Sequence, residues 1–347
     1  MPDPSTVAFL PVYQNPYQHL LKDALELEGV EVKLLTGLPS SKWLQENREI
    51  IDLLHYHWLS GLYLQRAATP FVFLIFLHRF WLARSLGYKI VWTAHNLLPH
   101  KYPYLPIHTL TRRLFMHQAD AVIVHCKFGR DELLRLYHRE KPIYIVPIGS
   151  YQGVYPAEIS RIDARVKLNL PTSAFVYLFL GNISIYKGLE NLVSIFKNVA
   201  TADDFLVIAG RDRDARLVRF LKSESDHQLR IRAEYIPNEQ MQIYLRCADV
   251  MVAPFEKILT TSSIIVGMDY SLPIIAPAMG CLPELVSVDA GLLYDPNNPY
   301  ALGEALRKVK TLDTIKMGQA ARKITKALQW DDIAQQTAAI YHACINS

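Results

Sequence analysis

Phe175-Val-Tyr-Leu-Phe-Leu-Gly-Asn-Ile-Ser-Ile-Tyr-Lys-Gly188 is the stretch that decides the fold. Its first six residues are apolar or aromatic and carry no charge, as expected of a parallel strand covered on both faces. Gly181 stops the run, and from Gly188 to Ala200 the apolar residues recur at helical spacing. A strand, a glycine and a helix in that order form a βα unit. The glycine lets a ligand approach the backbone, and the start of the helix offers free N–H groups to an anion. Lys187 stands beside that start with the charge a phosphate wants, although a lysine in such a place is usually a solvated one.

The same alternation extends in both directions. C-terminal to this unit, strands are expected at Phe205–Ala209, Ile231–Tyr235, Val250–Ala253 and Ile274–Ala276. Helices are expected at Asp214–Ser223, Asn238–Cys247, Ser262–Tyr270, Tyr300–Leu312 and Trp330–Ile345. N-terminal to it, Val7–Leu10, Val30–Leu35, Ile51–His55, Lys89–Thr93, Ala121–Val124 and Ile143–Val146 read as strands. Between them Tyr17–Glu28, Thr109–His117 and Gly129–Tyr137 read as helices. The pattern breaks into glycine, proline and polar residues over 151–171, which reads as a linker. The fold class is therefore α/β: two doubly wound domains, residues 1–150 and 172–329, with a ligand cleft beyond their strand ends.

Composition agrees and narrows the function. The 347 residues suit two domains of similar size, and 50% hydrophobic content excludes disorder. Lys and Arg number 37 against 33 Asp and Glu, and a net charge of +4 is too small for a general nucleic-acid binder. That excess, and ten of the twelve histidines, lies in residues 1–150, so imidazole chemistry is sought there. The four cysteines stand singly, without CxxC or metal-ligand spacing, which points to a reducing compartment and no metal site. No signal peptide or membrane-spanning run is expected.

A second anion site is expected after the strand Val250–Ala253. Thr260, Thr261, Ser262 and Ser263 open an apolar helix with hydroxyls and backbone N–H groups, the make-up of an N-cap and also of a phosphate cradle. Two such sites at adjacent strand ends suit a diphosphate.

The order of motifs in residues 172–347 resembles a GT-B glycosyltransferase of the family 4 type. The residues that carry the resemblance are Gly181 to Gly188, Val207-Ile-Ala-Gly-Arg211, Tyr235-Ile-Pro237, Leu272-Pro-Ile-Ile-Ala276, Gly291-Leu-Leu-Tyr-Asp-Pro296 and Trp330-Asp331. The first half is similar to a subgroup that builds bacterial exopolysaccharides and lipid-linked oligosaccharides, through Asn15-Pro-Tyr17, Leu54-His-Tyr-His-Trp58, Val91-Trp-Thr-Ala-His-Asn96, Pro99-His100 and Val124-His125. The resemblance implies two Rossmann-like domains, an acceptor-binding one and then a nucleotide-sugar-binding one. It also implies a last helix, residues 330–347, that crosses back to the first. The implied donor site comprises Gly181, Asn182, Lys187, Gly210, Arg211, Tyr235, Ile236, Thr261, Ser262, Ser263 and Glu284. The nucleotide sugar is a substrate, and no cofactor is implied. The Glu-x7-Glu pair common around the donor sugar in this family is replaced by Ile258 and Val266.

Histidines at strand ends supply the candidate chemistry. His95 follows the strand Lys89–Thr93 and can bond a sugar hydroxyl or take the acceptor's proton. His57, beside Trp58, is the second candidate, with the indole placed to stack on a sugar. His100 and His125 are weaker ones. His55 and His57 share a strand face, but no third metal ligand is evident. The apolar run Phe71–Tyr88, with Arg79, Arg84, Lys89, Arg112 and Arg113 near it, reads either as a core helix or as a surface for anionic lipid.

Together these features predict a hexosyltransferase that uses GDP-mannose or UDP-glucose and a lipid-linked or oligosaccharide acceptor. It would be cytoplasmic and peripheral on the inner face of the membrane. The alternatives are a sugar-nucleotide epimerase on the same fold, or a degenerate chain that binds a nucleotide or a partner without catalysis.

Overall fold

The computed structural model describes residues 5–13, 15–98 and 104–347. Pro99 and His100 lie outside the described residues. The chain forms two compact units, one of residues 1–149 with 328–347 and one of 150–327.

The first unit is built on six parallel strands: β1 (Thr6–Leu10), β2 (Glu31–Leu34), β3 (Leu53–Tyr56), β4 (Lys89–Thr93), β5 (Ala121–Val124) and β6 (Ile143–Ile145), in the order β2-β1-β3-β4-β5-β6. β1, β3 and β5 are buried along their whole length, which explains why they are apolar apart from Thr6 and His55. The register sets Phe9 beside His55, and Tyr56 beside Trp92. Helix Pro16–Leu27 starts where the Asn15 side chain accepts the Tyr17 N–H at 3.0 Å and Pro16 fixes the first turn. It packs against the last helix, Trp330–Ile345, which lies in this unit.

Helix Thr69–Ser85 carries the apolar run and has one face in the core and another turned outward. Phe73, Phe76, Phe80 and Ala83 are buried against the sheet, and each fully buried phenylalanine contributes about 1.5–3 kcal/mol. Phe71, Leu74 and Trp81 face outward, 68%, 64% and 49% exposed. Three of the four arginines expected at a lipid surface are used internally, while Arg113 is exposed. Arg84 pairs with Asp120 at 2.7 Å, Arg79 donates to the Leu38 carbonyl at 3.2 Å, and the buried Arg112 donates to the carbonyls of Leu97 and His108. Among the described residues no helix is long and apolar enough to cross a membrane.

The second unit carries β7 (Phe175–Leu180), β8 (Asp204–Ala209), β9 (Leu229–Arg232), β10 (Val250–Val252), β11 (Ile274–Pro277) and β12 (Gly291–Tyr294), all parallel, in the order β12-β11-β10-β7-β8-β9. From β7 the sheet grows one way through β8 and β9 and the other way through β10 to β12. The topological switch point therefore lies between β7 and β10, where open α/β sheets hold their ligands. β9 begins two residues before its expected start, and β12 was read only as a motif. Residues 151–171 belong to this unit. Ser160 caps a helix, Arg161–Lys167, whose buried Arg165 pairs with Asp249 at 2.6 Å. Asp269 accepts from the Ser150 hydroxyl at 2.8 Å and from the Tyr151 N–H at 2.7 Å.

Candidate active site

The second unit gathers a cation and helix-start donors at its switch point. Gly181 and Gly210, at the ends of β7 and β8, have φ of 149° and 147°, where only glycine is at ease. A Cβ on Gly210 would stand 1.8 Å from the Gly181 carbonyl oxygen, so the two strand ends meet backbone to backbone. At Gly181 a Cβ would meet only Phe179 Cζ, at 3.9 Å, which leaves that backbone open to a ligand. Gly188, at φ 68°, touches the turn after β10, for its Cβ would lie 2.0 Å from the Pro254 oxygen. The Glu256 N–H closes the same junction by donating to the Tyr186 carbonyl at 3.0 Å.

Lys187 sits in this junction and is only 7% exposed. Its Nζ lies 4.1 Å from the centroid of Phe255 and 5.1 Å from that of Tyr186. It has no ion-pair partner among the described residues. Burial pushes its pKa down to about 8. The aromatic faces offset part of the desolvation, by about 0.5–2 kcal/mol, and an anion would offset more. The solvated-lysine alternative therefore does not describe this residue.

Thr261 is the N-cap of helix Ser262–Asp269, but its hydroxyl bonds Ser263 Oγ at 2.8 Å and makes no cap hydrogen bond. The expected hydroxyl cap is thus not formed, and the first-turn N–H groups keep no side-chain acceptor. Ser262 lies beside the buried Tyr151 phenol.

The remaining donor-site residues follow neighbouring strands. Asn182 and Arg211 are exposed on segments that run side by side, with the Ile183 N–H donating to the Arg211 carbonyl at 2.9 Å. Tyr235 is exposed and Ile236 buried after β9. Glu284 is exposed on the short helix Leu282–Leu285 after β11. Direct contacts join Gly181 to Gly210, and Lys187 to the Phe255 segment. Tyr235 and Ile236 follow β9 and Glu284 follows β11, so these three come from strands other than the pair at the switch point. Phe255, the ring beneath the lysine, was not anticipated.

The first unit holds a row of imidazoles, all buried or half-buried. His57 Nδ1 is 3.1 Å from His95 Nε2, His95 Nδ1 is 3.1 Å from His125 Nε2, and His125 Nδ1 is 2.8 Å from the Val146 carbonyl. Trp58 stacks on His95 with centroids 4.3 Å apart, and Tyr17 sets its ring edge against His57, His95 and His125. His55 stands apart: its nitrogens bond the Tyr341 hydroxyl at 2.6 Å and Thr93 Oγ1 at 2.7 Å. Burial, and the repulsion a second charge would meet, hold His55, His57 and His95 well below the usual imidazole range, and burial brings His125 to about 4. The rings are therefore neutral at pH 7. Both nitrogens of His95 are engaged by other histidines, so it reaches a substrate only through its neighbours or after a rearrangement. Among the described residues no three His, Cys, Asp or Glu side chains converge to hold a metal.

Residues 174–311 match the family model described as Glycosyl transferases group 1, and residues 19–149 match Glycosyltransferase Family 4. With its two parallel six-stranded units, the chain is a GT-B glycosyltransferase resembling family 4. It is similar to the D-inositol 3-phosphate glycosyltransferases of Xylanimonas cellulosilytica, with 24% identity over 64% of this chain and 57% of the relative, and of Streptomyces avermitilis, with 25% over 96% and 73%. Among solved structures, sucrose-phosphate synthase from Thermosynechococcus elongatus superimposes with a TM-score of 0.76 at 20% identity, covering 98% of each chain. Anabaena HepE in complex with UDP-glucose gives 0.76 at 15% identity, covering 97% of this chain and 99% of its own.

Proposed function

We propose that the protein moves a hexose from a nucleoside diphosphate sugar, of the UDP-glucose or GDP-mannose type, to a hydroxyl of a lipid-linked or polysaccharide acceptor. The observation that carries the donor half is Lys187: a buried cation at a topological switch point, seated on aromatic faces and without an ion-pair partner among the described residues. The UDP-glucose bound by HepE supports a donor of that chemistry. In this reading Lys187 and the first-turn N–H groups after Thr261 offset the charge that develops on the leaving diphosphate. The strand-end backbone at Gly181 and Gly210 lets the phosphates come close. Asn182, Arg211, Tyr235, Ile236 and Glu284 border the nucleoside and sugar. The donor is consumed as a substrate, and no separate cofactor enters.

His57 and His95 belong to the acceptor side, with Trp58 backing His95. The outward Phe71, Leu74 and Trp81 support a peripheral membrane contact, in place of Arg79, Arg84 and Arg112, which the unit uses internally. The relatives' name supports a second acceptor class, a cyclitol phosphate.

One observation favours a non-catalytic binder: Ile258 and Val266, both apolar, occupy the places of the family's carboxylate pair. Incubation with radiolabelled UDP-glucose and GDP-mannose, with and without membrane lipid extract or inositol phosphate, separates the readings. Label in lipid or polymer is expected. Label in inositol phosphate replaces the acceptor, isomerised nucleotide sugar makes the protein an epimerase, and nucleotide binding without transfer makes it a binder.

A further inference from the structure

The row His57, His95, His125 can be protonated in only one direction while its rings are neutral. The Val146 carbonyl only accepts, so His125 Nδ1, at 2.8 Å, carries a hydrogen and donates it. A neutral His125 then has a bare Nε2, which accepts from His95 Nδ1–H at 3.1 Å. His95 Nε2 is bare in turn and accepts from His57 Nδ1–H at 3.1 Å. Reversing either link would set two lone pairs or two hydrogens against each other. The order leaves one lone pair unused: His57 Nε2, which is buried and has no hydrogen-bond partner among the described residues.

Leaving a buried acceptor unsatisfied is unfavourable, so its surroundings bear on its use. His57 lines a small cavity with Trp58, Ser60, His95, Asn96 and Arg112. Its volume of about 30 Å³ admits one water-sized group. Tyr17 and Arg112 are the other titratable or charged groups facing the row from the helices packed on it. On the sheet side, His55 is spent on Thr93 and Tyr341.

We propose that His125, anchored on the Val146 carbonyl, is a positioning residue that orients a one-way imidazole chain, and that the open end of the chain, His57 Nε2, accepts a hydrogen bond from a hydroxyl donor, either water or a sugar hydroxyl. His125 acts through His95 and need not touch that donor. Only the sugar hydroxyl rests on the glycosyltransferase reading. The direction of the chain stands or falls without it, so the two fail separately.

The test is long-range 1H–15N correlation NMR of the full chain labelled with 15N-histidine, at pH 7. It distinguishes Nδ1–H, Nε2–H and imidazolium rings. All three histidines are expected as Nδ1–H. An Nε2–H ring or an imidazolium at any of the three overturns the proposal, and this needs no variant to fold. In His125→Phe, which lacks the acceptor, His95 and His57 should become tautomer mixtures, whereas His125→Gln, which restores an oxygen acceptor, should return them to Nδ1–H. A pure Nδ1–H His57 in His125→Phe removes the positioning role. Adding UDP-glucose identifies the donor. A His57 Nε2 signal that shifts on addition assigns a sugar hydroxyl, an unchanged hydrogen-bonded signal assigns water, and a signal without a hydrogen bond in both states overturns the site.

Discussion

The ammonium of Lys187 lies 4.1 Å from the centre of the Phe255 ring, and this contact ties the turn after β7 to the turn after β10. It places a cation where the strand order reverses and surrounds it with ring faces instead of carboxylates. An enzyme that must hold a departing diphosphate gains from a charge kept dry and unneutralised until the ligand arrives.

Because burial brings Lys187 to about 8, nucleotide binding should be linked to protons. Below pH 8 the free protein already carries the charge, so UDP affinity should be flat. Above pH 8 binding must recapture a proton, and affinity should fall by up to about tenfold per pH unit. Calorimetry at pH 7 and pH 9, in buffers of different ionisation enthalpy, checks both the affinity and the proton uptake. An equal affinity with no uptake at pH 9 would contradict it.

Gly210→Ala should destabilise the second unit by about 2 kcal/mol or more, since its Cβ would stand 1.8 Å from the Gly181 oxygen. Gly181→Ala meets space and carries only the conformational strain of φ 149°, about 1–3 kcal/mol. Thermal unfolding of the two variants should rank Gly210→Ala as the less stable. The reverse order would mean that the ends of β7 and β8 are not packed as described.

The histidine row makes the first unit sensitive to acid. The folded pKa of His125 is near 4, below the unfolded value of 6.5, so the unfolded chain binds the proton more readily. The stability is present in full above pH 6.5 and is lost as pH falls from 6.5 towards 4, by about 3 kcal/mol for this residue. His55, His57 and His95 act in the same direction. Urea unfolding at pH 7 and pH 5 should show the loss, and His125→Gln should show less of it.

His95→Ala removes the middle of the row and leaves His57 Nδ1 and His125 Nε2 without partners, at about 1–3 kcal/mol each. Its melting temperature should fall. If the row serves the acceptor, turnover should fall by about 10²–10⁴-fold, with UDP affinity retained. Turnover close to that of the wild type would leave the row a purely structural feature.

Much of the scaffold was legible because parallel strands declare themselves as apolar runs. Phe175–Leu180, Lys89–Thr93 and Ala121–Val124 have their expected bounds. Gly291–Tyr294 is too short for periodicity to mark it as a strand, and helix Arg161–Lys167 lies among proline and glycine signals that mimic a linker. At the site, the position of Lys187 was legible but its environment was not, since Phe255 comes from another βα turn. Likewise His57 and His95 could be placed at strand ends from sequence. Their bonding to each other and to His125 depends on the registration of β3, β4 and β5. The arginines of the apolar run misled for a related reason, because Asp120 and the Leu38 carbonyl reach them from elsewhere in the unit.

The most direct measurement is the affinity of UDP and GDP for the wild type and for Lys187→Ala, by calorimetry at pH 7 with circular dichroism as the folding control. Loss of one charge-assisted contact to the diphosphate should weaken binding by about 10- to 150-fold, or roughly 1.5–3 kcal/mol, in a protein that stays folded. Unchanged affinity in the folded variant would place the phosphates away from the junction of β7 and β10 and contradict the donor site described for this protein.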